Sequence, residues 1–203
     1  MAASKLTKLA MAIVLALPAI ASAESTFNSG AGSPITASAR LNFTVTVPKV
    51  IYLRVGTGGT GLASNTTVDG VVITVPAANV GDGTAIASTP ASVPVRVVGN
   101  NGNITLTAVT AAAGLANAAG DTIPFSQIVG TSSDATAGGL AHPVFNGTGG
   151  SSSVTVTPNV TTKVTDRTAN WSFTYANVAV VPPGTYGGTV AAGGQVTYTA
   201  SMP

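Results

Sequence analysis

The feature that most constrains this chain is a period of two. From Ile35 the apolar residues Ile35, Ala37, Ala39, Leu41, Phe43, Val45 and Val47 alternate with Thr36, Ser38, Arg40, Asn42, Thr44 and Thr46. Successive side chains of an extended strand point to opposite faces, so this spelling predicts a half-buried strand. Pro48 interrupts it, and Val50–Val55 resumes before Gly56.

The same short, β-branched runs recur along the chain, bounded by Gly, Pro, Asn or Asp. Strands are expected over 71–75, 93–98, 104–109, 153–157, 161–165, 171–175, 184–190 and 195–201. Helix signals are thin, because the only candidate, Ala111–Ala119, is broken by Gly114 and reads as a loop or a single turn. About ten short strands separated by turn residues suggest a sandwich or barrel. The stretch Gly130–Gly150 reads as a long surface connection with one edge strand at most.

The N-terminus has the form of an export signal. Lys5 and Lys8 precede an apolar run from Leu9 to Ile20, and Ala21-Ser22-Ala23 supplies the small residues that a signal peptidase needs. That run is shorter than the ~20 residues that span a bilayer, and no later segment replaces it, so no membrane span is expected in the mature chain. Residues 1–23 are thus read as a cleaved signal peptide, 24–38 as an N-terminal extension and 39–203 as one β-sandwich domain.

Charge narrows the partners. The chain carries 8 Lys and Arg against 6 Asp and Glu, and loss of Lys5 and Lys8 with the signal leaves the two signs balanced. A balanced surface does not attract nucleic acid. Charged residues make up 7% of the chain, against about a quarter in an ordinary soluble domain. Solubility then rests on Thr, Ser, Asn and Gly, and weak charge repulsion permits close self-association. There is no cysteine, so an exported fold of this kind depends on packing and β-ladders rather than on disulfides.

The chemistry-bearing motifs reduce to structural readings. Gly56-Thr57-Gly58-Gly59-Thr60-Gly61 spells a dinucleotide-binding fingerprint after a strand, but only nine residues separate it from the next strand, too few for the helix that must face the pyrophosphate. A flexible turn is expected there, and no cofactor. His142, the sole histidine, precedes Pro143 and has no second His or Cys to complete a metal set, so it reads as a surface-loop residue. Asp82, Asp121 and Asp134 could offer oxygens to calcium, but none lies in an Asp-x-Asp-x-Asp loop and solvated turns are the default. Six Asn-x-Ser/Thr sequons, at Asn42, Asn65, Asn103, Asn146, Asn159 and Asn170, are unsurprising in a chain so rich in Thr. No carboxylate pair and no nucleophile elbow appears, so no catalytic residue is expected. Trp171, Phe173 and Tyr175 alternate with Ser172 and Thr174, which favours core packing over a sugar-stacking strip.

Three features together resemble subunits of the bacterial chaperone–usher pilus families, including the spore-coat-like and alternate-class pilins. They are the signal followed by the polar extension Glu24–Pro34, the alternating strand Ala39–Val47, and the ending Pro182-Pro183-Gly184-Thr185-Tyr186 followed by Gly194-Gln195-Val196-Thr197-Tyr198-Thr199-Ala200. The resemblance implies an all-β, immunoglobulin-like antiparallel sandwich lacking one strand. A periplasmic chaperone would fill the gap first, and the N-terminal extension of the next subunit would fill it after passage through an outer-membrane usher. It further implies a fibre of identical or related subunits at the cell surface, supporting adhesion or biofilm formation, with the chain in the periplasm only in transit. The donor is expected near the new N-terminus, with Phe27, Ala31 and Ile35 as knobs on one parity. The alternative reading is a self-contained secreted sandwich that binds a glycan or a surface protein.

Overall fold

A computed structural model describes residues 24–59 and 61–203; the expected signal peptide lies outside them. The chain divides into two units, 1–47 and 48–203. Among the described residues no helix is long and apolar enough to cross a membrane.

The larger unit is the expected all-β antiparallel sandwich. Its elements are β1 (Ile51–Val55), β2 (Ile86–Ala87), β3 (Val93–Gly99), β4 (Ile104–Thr110), β5 (Gly114–Ala116), β6 (Thr122–Pro124), β7 (Ile128–Ser132), β8 (Gly150–Val156), β9 (Thr165–Tyr175) and β10 (Val196–Ser201). One sheet runs β1-β3-β9; β2 pairs with the far end of β9 at Thr174 and Tyr175, and β7 pairs along the other edge of β9 from Trp171 to Tyr175. The second runs β10-β4-β8, and β5 and β6 form a small separate hairpin.

Alternation decides the faces. In β3 the residues Val93, Val95 and Val97 point inward and are buried, and in β4 Ile104, Leu106 and Ala108 do the same from the other sheet. Trp171 and Phe173 of β9 join them, together with Val156 of β8, in one continuous core. The outward positions of the second sheet carry Thr105, Ser153 and Thr199, all exposed. Hydroxyls thus wet a face that has almost no charge. On the outer face of the first sheet Arg96 of β3 forms a two-pronged ion pair with Asp166 of β9, at 2.9 and 2.8 Å.

Several expectations are corrected. The alternating run Ile35–Val47 forms no strand, and all of its residues are exposed. Residues 71–75 make only an isolated bridge between Val72 and Thr89, and 161–164 and 184–190 are turns and coil. Strand β9 is longer than expected because its ladder with β3 begins at Thr165. The supposed loop 111–119 contains β5, whose pairing with β6 was hidden by the brevity of both.

The connection 133–149 is not a surface loop either. Leu140, His142 and Phe145 are buried, and the backbone ties itself to both sheets. The Leu140 carbonyl accepts from Ser132 Oγ of β7 at 2.7 Å and from Trp171 Nε1 of β9 at 3.1 Å. On the β8 side Thr157 N donates to the Gly138 carbonyl at 2.9 Å, and Ser152 Oγ bonds the Val144 carbonyl. The segment therefore spans the seam between β7 and β8 and drives its apolar side chains into the core.

The smaller unit is described from Glu24 to Val47, without regular secondary structure. Its first part doubles back: Arg40 grips Glu24 through two contacts of 2.8 and 3.0 Å, Thr26 Oγ1 donates to the Ser38 carbonyl at 2.8 Å, and Asn28 Nδ2 donates to the Thr36 carbonyl at 3.2 Å. These three pairings share one register, so 24–28 and 36–40 lie side by side around a turn containing Gly30 and Gly32.

Candidate functional site: two unpaired strand edges

With β7 and β8 bridged by 133–149, the opposite seam is bounded by β1 from one sheet and β10 from the other. Each pairs on one side only, β1 with β3 and β10 with β4. Among the described residues no backbone hydrogen bond reaches the second edge of either strand. An edge of this kind presents a row of unused N–H and C=O groups, a template for another strand.

Polar groups pin the two strands together at one end. Lys49 Nζ, just before β1, donates to the carbonyl of Pro203, just after β10, at 3.1 Å. Asn100 at the β3–β4 turn accepts from Val50 N at 2.8 Å and donates to the Pro48 carbonyl at 2.8 Å, and Asn101 reaches Pro203. The entry to β1 therefore sits at the exit of β10, so the two edges run past each other in opposite directions.

The side chains along this seam are incompletely covered. Leu53 and Val55 of β1 and Val196, Tyr198 and Ala200 of β10 pack on the core yet are only partly buried. The matching residues one strand further in, Val95, Val97 and Leu106, are sealed at no more than 1% exposure. The rim of the core along this seam therefore keeps apolar surface in contact with water.

Tyr198 shows how the seam is anchored. Its hydroxyl crosses the core to the His142 ring at 2.8 Å, and burial pushes its pKa up. His142, expected in a surface loop, is 7% exposed and edge-on to Phe145, Trp171 and Phe173 at centroid distances of 4.7–5.1 Å. Burial lowers its pKa to about 4, so at neutral pH it is an uncharged aromatic packing element. Sequence spacing gave no hint of this, because the aromatic cage is assembled from β9, β10 and the connection.

The other singled-out residues have structural partners. Gly56 takes φ +102° and its N–H bonds the Pro94 carbonyl at 2.9 Å; no helix follows the glycine run among the described residues. The Asp69 carboxylate accepts from the Thr57 backbone and hydroxyl, which holds its pKa down. Asp82 accepts from Asn79 and Thr84, Asp121 from Asn117, and Asp134 from Thr136, Leu140 N and Arg167. These are turn-closing carboxylates, and no group of three metal-ligating side chains occurs among the described residues. Trp171, Phe173 and Tyr175 are core residues, as their alternation suggested. Phe27, Ala31 and Ile35 are exposed in the doubled-back segment.

A cleft of about 330 Å³ runs along β1, lined by all five of its residues, the seam's Leu53 and Val55 included, and by Gly58, Gly59, Ala63, Ser64, Asn65 and Thr67 of the following segment. The Arg54 Nε is buried there without a hydrogen-bond partner among the described residues. No protein-family model matches the chain, and neither the curated proteins nor the solved structures offer a match.

Proposed function

We propose that the chain is a structural subunit of a bacterial surface fibre, exported and then joined to its neighbours by β-strand donation, supporting adhesion or biofilm formation. The observation that carries the reading is the seam between β1 and β10. Two unpaired edges from different sheets flank half-covered apolar side chains. Strand addition satisfies both needs at once, since the incoming backbone takes up the free N–H and C=O groups while alternate side chains cap the core. Head-to-tail donation does not close on itself, so it yields a filament. Low charge is compatible with such dense packing of copies. A periplasmic chaperone covering the seam in transit, and an outer-membrane usher, belong to the same reading. The protein needs no cofactor and performs no reaction in this role.

The test is the size of the mature protein taken from its native envelope, run on a denaturing gel with and without boiling. A ladder of multimers that collapses only on heating is expected. A lone monomer in both lanes overturns the fibre reading. The second reading, a self-contained module binding a glycan or a surface protein, is favoured by the cleft beside Arg54, and Arg54→Ala would abolish such binding.

A further inference from the structure

The resemblance to pilins places the donor near the new N-terminus, with Phe27, Ala31 and Ile35 as knobs. The shape of the smaller unit points elsewhere. Residues 24–28 and 36–40 are engaged with each other across a turn. A strand that must lie flat along a groove cannot at the same time double back, and Gly30 and Gly32 offer no side chain for a pocket.

Beyond Arg40 the chain changes character. Leu41-Asn42-Phe43-Thr44-Val45-Thr46-Val47 makes no side-chain hydrogen bond among the described residues and belongs to no sheet. Its apolar members are all exposed, Phe43 and Val45 both at 85%. Four large apolar side chains on one parity, with Asn and Thr on the other, form a one-sided strand whose apolar face is uncovered.

Building on the fibre reading, we propose that residues 41–47 are the strand one copy lends to the next, with Leu41, Phe43, Val45 and Val47 seated in the β1–β10 seam of a second copy of this chain. The fit is one of length, period and charge. Seven extended residues reach about 23 Å, enough to run the full length of the six-residue β10, about 20 Å. The alternate apolar residues meet Leu53, Val55, Val196 and Ala200, the part-covered side chains of the seam. No charged residue occurs in 41–47, as burial over a core requires. Thr44 and Thr46 then face outward, continuing the hydroxyl-rich surface of the second sheet.

Four variants of the full chain separate this assignment from the fibre reading, with the unboiled gel ladder as readout. Phe43→Asp and Val45→Asp are expected to abolish the ladder, leaving monomer. Phe27→Asp is expected to retain it, as is Thr44→Asp, which puts the same charge on the opposite face. Residues 41–47 lie outside the larger unit, so a β-type far-UV spectrum and a cooperative thermal transition show that monomeric Phe43→Asp keeps the sandwich folded, with a melting temperature below that of the strand-linked wild type. A ladder that survives both Phe43→Asp and Val45→Asp but vanishes with Phe27→Asp overturns the assignment and returns the donor to the first residues. A ladder lost with Thr44→Asp as readily as with Phe43→Asp overturns the proposed facing. Monomer alone in the wild-type lane overturns the fibre reading itself.

Discussion

The His142 imidazole Nε2 and the Tyr198 hydroxyl lie 2.8 Å apart inside the sandwich, joining the 133–149 connection to the edge strand β10. The other ring nitrogen, Nδ1, is buried without a partner among the described residues. No acid faces the ring; its neighbours are Phe145, Trp171, Phe173 and Tyr198. The one acid on the connection, Asp134, is paired with Arg167 of β9 at 3.4 Å.

Between pH 7.5 and 4.5 acid weakens the fold chiefly through this histidine, because the hydrogen-bonded carboxylates of Asp69, Asp82, Asp134 and Asp166 lose their contribution only at lower pH. The native pKa of His142, about 4, lies below its ordinary 6.5, so the unfolded chain binds a proton first as pH falls. The full contribution is present above pH 6.5, declines between 6.5 and 4, and flattens below. The depression corresponds to about 3 kcal/mol. Urea unfolding at pH 7.5 and 4.5 should show that loss in wild type, and His142→Phe should remove most of the difference between the two pH values.

Gly130 makes room for that histidine. A Cβ at this position would collide with the His142 ring, although the backbone of β7 there is ordinary strand. Gly130→Ala is expected to cost about 1–3 kcal/mol, read from the shift in urea midpoint. In Gly130→Ala/His142→Ala the penalty of the first change should largely vanish, a coupling that a double-mutant cycle measures.

Trp171 is the only tryptophan and is fully buried, with Nε1 donating to Leu140. Its removal as Trp171→Ala should cost about 3–5 kcal/mol. In the intact protein its emission should redshift in a single step on unfolding, and it should stay unmoved in Phe43→Asp.

Asn177 adopts φ +53° while 2% exposed. Its Oδ1 accepts from Gly81 N at 3.0 Å and its Nδ2 donates to the Asn79 carbonyl. Asn177→Ala loses both the bonds and the tolerance for this backbone, and should cost about 2 kcal/mol. Asn177→Gly keeps the backbone freedom, and its thermal midpoint should fall between those of wild type and Asn177→Ala.

By contrast the Arg96–Asp166 pair is solvent-exposed in part, and Asp166→Asn should change stability by less than about 1 kcal/mol, with the difference fading in high salt.

The reading from sequence succeeded where local pattern and tertiary environment agree. Val93–Val97, Ile104–Ala108 and Trp171–Tyr175 alternate between a polar and an apolar parity, and each apolar parity meets the opposing sheet. It failed where the pattern was silent about partners. Residues 71–75 have strand-forming residues but find only one bridging neighbour, while β5, Gly114-Leu115-Ala116, has none that is β-branched and pairs with β6 nonetheless. His142 was misplaced because a single polar residue beside a proline in a glycine-rich stretch carries no local sign of the rings that surround it.

Sequence alone determined that this chain makes short strands with one apolar and one polar face, because side-chain parity is a property of the extended backbone itself. Only the tertiary structure decided which apolar faces are covered. The faces of β3, β4 and β9 meet one another, whereas that of Leu41–Val47 stands in water and the seam of β1 and β10 is only half closed. The physical reason is that pairing and burial depend on residues distant in the chain, and a period of two reads the same whether or not a partner has arrived.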